Sequence, residues 1–235
     1  VQHKTVQTDS RFRTPTSLVR GVAIVAAMML LLVFAGACSN DNGGDGESNP
    51  NGSNSGITED GFPYKGSPDA PVKVTEYSDY LCGHCRGFAL EKEPMIAEAY
   101  VDAGKVQYIY HYYALGEAQV LLGEASHCAA DQDRFWEYHE IMFENQGEFA
   151  SVATMEDLQA RLTEFAEQAD LEMAEFEECW TSHRNQETII DAVMAAREIG
   201  VGGTPTISVQ GELIVGNQPF EVFQEAIESA LADVE

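Results

Sequence analysis

The sequence predicts an α/β domain in which a block of helices is inserted after the second strand. Three observations predict this class: two β-branched and aromatic runs flank a helical segment, residues 117–184 are helical throughout, and two short strands lie between the last two helices. The predicted order is therefore β-α-β, a helical block, and then α-β-β-α.

The first three elements are defined by their local patterns. Residues 72–77 alternate and are β-branched, which is typical of a strand. The helical pattern of residues 82–103 contains Pro94, where we expect a kink, and it stops at Gly104, because glycine suits the position after a helix C-terminus. Residues 106–113 are aromatic and β-branched and predict the second strand.

The second half of the chain begins with the helical block. Apolar residues recur at intervals of three and four through residues 117–184, and a further helix spans about residues 186–199. Residues 207–209 and 213–215 predict two strands joined by the turn Gln210-Gly211. The last helix is expected from residue 217 to about residue 232.

Residues 1–37 have the composition of a signal peptide or a membrane anchor. Basic residues precede an uninterrupted run of apolar and small residues. The run ends in Ala35-Gly36-Ala37-Cys38, which resembles the lipobox of bacterial lipoproteins and implies a lipid attached to Cys38. The alternative is an uncleaved anchor, since about 17 apolar residues are near the minimum for a bilayer span. Both interpretations predict a domain held at the extracytoplasmic face of a membrane.

Residues 38–61 are predicted to form a flexible tether. They are rich in Asn, Gly, Ser and acidic residues and contain few apolar ones, so they cannot bury enough surface to fold alone. Random-coil scaling gives such a tether a reach of roughly 25 Å. The folded domain is therefore expected over residues 62–235.

The charge balance of the chain is strongly acidic. It has 13 Lys and Arg against 39 Asp and Glu, a formal net charge of −26. A surface this negative repels phosphate backbones, which excludes nucleic acid as a partner. It also repels anionic lipid headgroups. The expected membrane tether is the lipid or the N-terminal helix.

The main chemical signal is Cys82-Gly83-His84-Cys85, which lies between the first predicted strand and its helix. The first sulfur of such a pair meets the unpaired N–H groups and the positive dipole end of the helix, and both favour the reactive thiolate. We expect Cys82 to attack, His84 to stabilise its thiolate and Cys85 to resolve the mixed disulfide. A zinc site would need four ligands, so no metal is expected at a single pair.

The remaining cysteines predict a second disulfide. Five cysteines are an odd number for an exported protein, and Cys128 and Cys179 are left if Cys38 is lipidated and the other two form the redox pair. A disulfide between them can persist outside the cytoplasm. The alternative is two free, buried cysteines that pack as small apolar side chains.

Three motifs resemble those of the DsbA-like thiol–disulfide oxidoreductases of the thioredoxin superfamily: VxEYxxxxCxxC at 74–85, CAAxQxxFWxYH at 128–139 and GVxGTPT at 200–206. The resemblance covers roughly residues 71–235 and implies a thioredoxin-like fold with a helical domain inserted after the second strand. It also implies a cis peptide before Pro205, across from the sulfurs, with the Thr204 backbone free to pair with a client strand. The dipeptide Gly83-His84 resembles that of eukaryotic protein disulfide isomerases.

Glu76 is a candidate proton relay. We expect its side chain to point into the core, where burial raises the pKa of a carboxyl group, and to relay the proton of Cys85. The alternative is a strand acid that faces solvent. Aromatic side chains of the inserted helices are expected to serve packing alone, namely Trp136, Tyr138 and His139.

The predicted function is the oxidation of reduced or misbridged client proteins outside the cytoplasm. The cysteine pair needs no external cofactor, but a membrane or soluble redox partner must reoxidise it. Two alternatives remain open. One is a reductase or isomerase that uses the same residues at a lower potential, and the other is a tethered binding module without turnover, which the intact cysteine pair disfavours.

Overall fold

A computed structural model of the chain describes residues 54–234. The expectations for residues 1–37, for Cys38 and for the tether up to residue 53 lie outside the described residues. Within residues 54–234, none of the helices is long and apolar enough to cross a membrane.

The described residues form one six-stranded sheet, in the order β1-β2-β4-β3-β5-β6. Strands β3 and β4 pair in parallel, and the other neighbours are antiparallel. The strands are β1 Ser55–Ile57, β2 Pro63–Lys65, β3 Val72–Ser78, β4 Val106–Tyr112, β5 Thr206–Val209 and β6 Glu212–Val215. The parallel pair and its neighbour β5 place β3 in the middle of the sheet, where all its hydrogen-bonding groups are engaged.

The predicted tether boundary at residue 61 is wrong, because the folded part already includes β1. This strand pairs with β2, and Ser55 lies opposite Lys65. Each of the two strands has only three residues, so neither carries a periodic pattern that could be seen in the sequence. Gly56 fits this edge because a side chain there would meet the Tyr64 ring at about 3.0 Å.

The predicted first helix is divided into three pieces. Helix α1 ends at Glu91 and α2 begins at Glu93, close to Pro94, whose ring is incompatible with a continuous helical turn. A π-helical turn follows, and Gly104 takes the left-handed conformation, with φ of +68°, that ends the segment. The bounds are α1 Gly83–Glu91, α2 Glu93–Ile96 and the π-helical turn Ala97–Val101.

The inserted helices follow β4, as the sequence predicts. They are α3 Glu117–Ala130, α4 Phe135–Glu144, α5 Gln146–Phe149, α6 Met155–Gln168 and α7 Met173–Thr181. The chain then returns to the sheet through α8 Gln186–Glu198, and after β6 it ends in α9 Phe220–Val234. The expected α/β class with a helical insertion after the second predicted strand is therefore confirmed.

Two apolar cores lie around the cysteine pair. The first includes Cys85 and Tyr110 and continues into the inserted helices, and the second packs Phe88 against Phe223 of α9. Helix α1 contributes to both cores. The start of α1 is therefore held between the sheet and the insertion, and this position defines the candidate site.

A disulfide between Cys128 and Cys179 joins α3 to α7 inside the insertion. Both cysteines are buried, with 1% of each exposed. Asn185 donates to both sulfurs, at 3.4 Å and 3.8 Å.

Replacing Cys128 and Cys179 together with alanine is expected to lower the free energy of unfolding by roughly 4 kcal/mol. The bridge spans 51 residues, and removing it restores conformational entropy to the unfolded chain. Urea unfolding of the wild type and the double variant measures this difference. Alkylation without reductant provides the control, since two labelled thiols at these positions in the untreated protein would contradict the bridge.

Candidate active site

Cys82 is the N-cap residue of α1. It has an extended backbone, and its Sγ accepts a hydrogen bond from the Cys85 backbone N–H at 3.4 Å. The turn before it is closed by Asp79, whose carbonyl accepts from the Cys82 N–H and whose side chain accepts from the Leu81 N–H. The sequence thus folds the end of β3 into a tight turn that delivers one sulfur to the positive end of a helix.

The loop before β5 supplies the second contact of this sulfur. The Thr204–Pro205 peptide is cis, and the Thr204 carbonyl oxygen lies 3.5 Å from Cys82 Sγ, where it accepts a hydrogen bond from the protonated form of this sulfur. The two residues expected to bind a client backbone therefore lie against the cysteine pair.

Gly83 and His84 form the exposed first turn of α1. A side chain at Gly83 would meet nothing within 4 Å. We expect His84 to stabilise the Cys82 thiolate as a cation or as an N–H donor, and its backbone N–H contacts this sulfur.

The pKa values of Cys82 and Cys85 are shifted in opposite directions. The hydrogen bond from the Cys85 thiol, with further contacts from Thr204 and the backbone N–H groups of Cys85 and His84, outweighs partial burial and lowers the pKa of Cys82 to about 5. Burial, reinforced by the hydrogen bond to Cys82, raises the pKa of the Cys85 thiol far above its ordinary value. At neutral pH the outer sulfur is therefore a thiolate and the inner one a thiol.

Glu76 lies on β3 and is fully buried, not directed to solvent. Its Oε2 accepts from the Tyr108 hydroxyl at 2.5 Å, and its Oε1 has no hydrogen-bond partner among the described residues. Burial, followed by the negative charge of Glu93, raises the pKa of Glu76 to about 8, although Tyr108 opposes the shift. Its charge in turn helps to raise the pKa of Cys85, so the two groups are near neighbours.

A buried charge cluster of Lys65, Glu93 and His139 lies beside Glu76, and sequence reasoning missed it. Lys65 Nζ contacts Glu93 Oε1 at 2.5 Å, and His139 Nε2 contacts Glu93 Oε2 at 3.1 Å. The other ring nitrogen of His139 is 3.2 Å from the Tyr80 hydroxyl. Burial alone would raise the pKa of Glu93, but Lys65 and His139 outweigh it and lower the pKa to about 2.

The packing role expected for the inserted aromatic residues is correct only in part. The Tyr138 hydroxyl donates to the Leu162 carbonyl inside the insertion. Trp136 Nε1 donates to the Tyr64 carbonyl, and its ring lies 4.3 Å from Lys65 Nζ. His139 is a member of the charge cluster, so one of the three residues has an electrostatic role.

Gln146 connects the insertion to the active-site turn. Its Nε2 donates to the carbonyls of Tyr80 and Cys82, at 2.9 Å each. Arg86 of α1 also donates to the Phe143 carbonyl at 2.9 Å. The insertion therefore holds the cysteine turn by its backbone, and no local sequence motif marks either contact.

A cavity among the described residues lies away from the cysteine pair. It has a volume of about 1110 Å³ and is lined in part by His111, whose ring stacks on Phe62 at 4.0 Å and lies 4.6 Å from the Tyr77 ring. Burial lowers the pKa of His111 to about 4, so this ring is neutral at physiological pH. Within residues 54–234, no three His, Cys, Asp or Glu side chains are grouped as a metal site.

Comparisons with known proteins agree with this geometry. Residues 58–229 match the protein family described as thioredoxin. The chain is 33% identical over 172 residues to the Na(+)/H(+) antiporter NhaA 1 of Salinispora arenicola, a match that covers 72% of this chain and 24% of the relative. The chain thus spans about a quarter of the length of that curated relative and of the similar NhaA 3 of Salinispora tropica.

A relative of comparable length is the probable disulfide bond formation protein D of Bacillus cereus, 31% identical over 171 residues, with 71% of this chain and 77% of the relative covered. The crystal structure of oxidised BdbD from Bacillus subtilis superposes with a TM-score of 0.67 at 26% identity, covering 76% of this chain and 97% of that one. Wolbachia pipientis α-DsbA1 shares the fold, with a TM-score of 0.65 at 21% identity, covering 76% and 94%. The chain therefore belongs to the thioredoxin family and, within it, to the DsbA-like thiol–disulfide oxidoreductases.

Proposed function

We propose that this protein oxidises the thiols of client proteins outside the cytoplasm and so introduces disulfides into envelope or secreted proteins. The observation that carries the proposal is that the pKa of Cys82 is lowered while that of Cys85 is raised. A pair whose reduced form contains a stabilised thiolate gives its disulfide away readily, because the product of the transfer is stabilised.

The transfer takes place in two displacements. A client thiolate attacks Cys82 Sγ of the disulfide, a client–Cys82 bond forms, and Cys85 Sγ leaves and takes up one proton. A second client thiolate then attacks the client sulfur of this mixed disulfide, and Cys82 leaves as a thiolate. Two electrons pass from the client to the cysteine pair, and a low pKa makes Cys82 a good leaving group in the second step.

The proposed client site is the backbone of Thr204 beside Pro205. An extended client segment pairs with this edge as an added strand, which brings its cysteine to Cys82. The distance of 3.5 Å between Cys82 Sγ and the Thr204 carbonyl oxygen supports this assignment. A client strand paired at Thr204 lies next to the reacting sulfur. The client contributes the reacting thiols and the enzyme needs no bound cofactor.

The reduced pair returns to the disulfide through an oxidised partner, which is a second protein or a membrane-bound electron acceptor. We propose that the chain is held at the outer face of the membrane, by a lipid on Cys38 or by residues 1–37 as an anchor. The relatives named as disulfide bond formation proteins support the oxidising direction.

The reduction potential of the Cys82–Cys85 pair tests the direction of electron flow. We expect a value near or above −180 mV, that of protein disulfide isomerase, against about −270 mV for thioredoxin, a difference of roughly 4 kcal/mol for two electrons. Equilibration with glutathione buffers, followed by alkylation and mass measurement, gives the value. The variant lacking Cys128 and Cys179 is the control that assigns the signal to the redox pair.

A potential near that of thioredoxin would establish the reductase alternative. An isomerase would show an oxidising potential but would restore activity to a client with incorrect disulfides faster than it oxidises a reduced one. A binding module would retain client affinity in the Cys82→Ser variant and show no exchange in the wild type.

A further inference from the structure

Glu93 is a buried acid whose two oxygens are both occupied by cationic or titratable partners. Lys65 from β2 contacts its Oε1, and His139 from α4 contacts its Oε2. Its side chain is 6% exposed, yet it is on α2, outside the cysteine turn. An anion fixed in this way keeps its charge when its surroundings change, because each oxygen has its own compensating partner.

We propose that Glu93 is a positioning residue for disulfide exchange: its fixed negative charge, next to Glu76, determines when Glu76 can donate a proton to Cys85 or accept one from it. The inference depends on the proposed exchange function and adds a regulator of its proton step. Glu93 does not touch the reacting sulfurs, and it acts only through Glu76.

One aromatic ring connects the two acids. The Tyr108 hydroxyl donates to Glu76 Oε2, and Lys65 Nζ, the partner of Glu93, lies 5.3 Å from the centroid of the same ring. Lys65 thus contacts Glu93 and lies near the tyrosine that binds Glu76, in an interior where like charges disfavour each other strongly.

The partners of each acid decide which of the two ionises. Glu93 has a cation and a histidine, whereas Glu76 has one neutral hydroxyl and an oxygen with no hydrogen-bond partner among residues 54–234. When two acids compete, the better-compensated one carries the charge and the other retains the proton. Burial and the charge of Glu93 raise the pKa of Glu76 to about 8 accordingly.

The titratable, charged and hydroxyl groups that interact with Glu76 come from five elements, whereas β5 places the apolar Ile207 opposite it. They are Tyr108 and Tyr110 of β4, Glu93 of α2, Lys65 of β2, Cys85 of α1 and Ser78 of its own strand. Lys65 is the single cation in this set, and it is paired with Glu93. Of these two charges, that of Glu93 has the larger effect on the pKa of Glu76.

The exchange reaction requires one proton to move between Glu76 and Cys85. When a client thiolate displaces Cys85, the leaving thiolate receives the Glu76 proton and Glu76 becomes a carboxylate. During reoxidation, Cys82 first forms a mixed disulfide with the partner; Cys85 then attacks it, returns its proton to Glu76 and releases the partner thiolate. The proton shuttles between two buried groups, and Glu93 sets how readily Glu76 releases it.

The test compares two single variants of the otherwise unchanged protein, Glu93→Gln and Glu91→Gln. Glu91 is an exposed acid two residues away, paired only with Lys92, and is the matched control. Carbon-13 NMR of the Glu76 carboxyl follows its titration directly and needs no turnover. We expect the midpoint to fall by about one pH unit or more in Glu93→Gln, and to stay unchanged in Glu91→Gln.

Two further variants keep the test decisive. The double variant Lys65→Met/Glu93→Gln leaves no unpaired buried lysine and serves if Glu93→Gln does not fold; its Glu76 midpoint is expected to lie below that of Lys65→Met. In a Glu76→Gln background, Glu93→Gln is expected to leave the pH profile of the Cys85 step unchanged, since the two residues act in series. An effect that persists in this background would mean that Glu93 only supports the fold, and would overturn the inference.

The NMR titration also separates this inference from the proposed function. A Glu76 midpoint that is equal in the wild type and a folded Glu93→Gln variant would overturn the role of Glu93, even if exchange is fast. A wild type that exchanges no disulfide at any pH would refute the proposed function, whatever the midpoint does.

Discussion

Replacing Cys82 with serine is expected to abolish disulfide exchange. Mixed with a client that already contains a disulfide, Cys85→Ser is expected to accumulate a mixed disulfide: Cys82 attacks the client disulfide, one client sulfur leaves as a thiolate, and no Cys85 thiol resolves the new bond. Cys82 Sγ is at the helix N-terminus and within reach of the Thr204 carbonyl, so it is the atom that a client or partner meets. A serine hydroxyl does not ionise at physiological pH and forms no bond with sulfur. Cys85 is fully buried and takes part only after the first bond has formed.

Thiolate absorbance in the Cys85→Ser variant measures the nucleophile. The serine hydroxyl can still donate to Cys82 Sγ, so the titration is expected near pH 5, where the pKa of Cys82 lies in the protein. A free cysteine titrates near ~8.5, and a midpoint at or above that value would reject the activated thiolate. His84→Ala is the matched control, because it removes the exposed ring and keeps the backbone N–H that contacts the sulfur.

Glu76→Gln is expected to stabilise the folded protein at neutral and alkaline pH. Burial raises the pKa of Glu76 to about 8 from its ordinary value of 4.5, so the folded state retains a proton that the unfolded chain releases between these values. Stability therefore falls as the pH rises through this window, and the loss is complete above pH 8. At about 1.4 kcal/mol per pKa unit, the full penalty is on the order of 5 kcal/mol.

Glutamine avoids this penalty and can still accept the Tyr108 hydrogen bond. The gain should be absent below about pH 4.5, grow up to pH 8 and then remain constant. Urea unfolding at a series of pH values measures it, and the exposed acid Glu228→Gln, which accepts from Tyr100, is the control. Parallel stability curves for the wild type and Glu76→Gln would show that the Glu76 carboxyl ionises normally when folded.

The sequence predicts those parts of the site whose residues are close together along the chain. The cysteine pair after a strand identifies the helix start, and the Gly-Thr-Pro-Thr loop identifies the segment opposite it, because both depend on local backbone geometry. The inward direction of Glu76 follows from strand alternation once the strand is recognised.

The charge cluster could not be predicted because tertiary packing assembles it. Lys65 and Glu93 are separated by 28 residues, and Glu93 and His139 by 46, with no shared pattern. Strand β1 was missed for a related reason, since three residues at a sheet edge owe their conformation to the hairpin they form with β2. In both cases long-range contacts outweigh local preference.

The open space around Gly83 makes this position available for evolutionary and engineered change. It is the first residue of α1, where a missing N–H is tolerated, and the contacts of the Cys82 sulfur come from its neighbours and not from Gly83. Proline or a polar side chain can therefore replace the glycine without repacking the core. Selection can therefore vary the residue that follows Cys82 while leaving the packing of the fold intact.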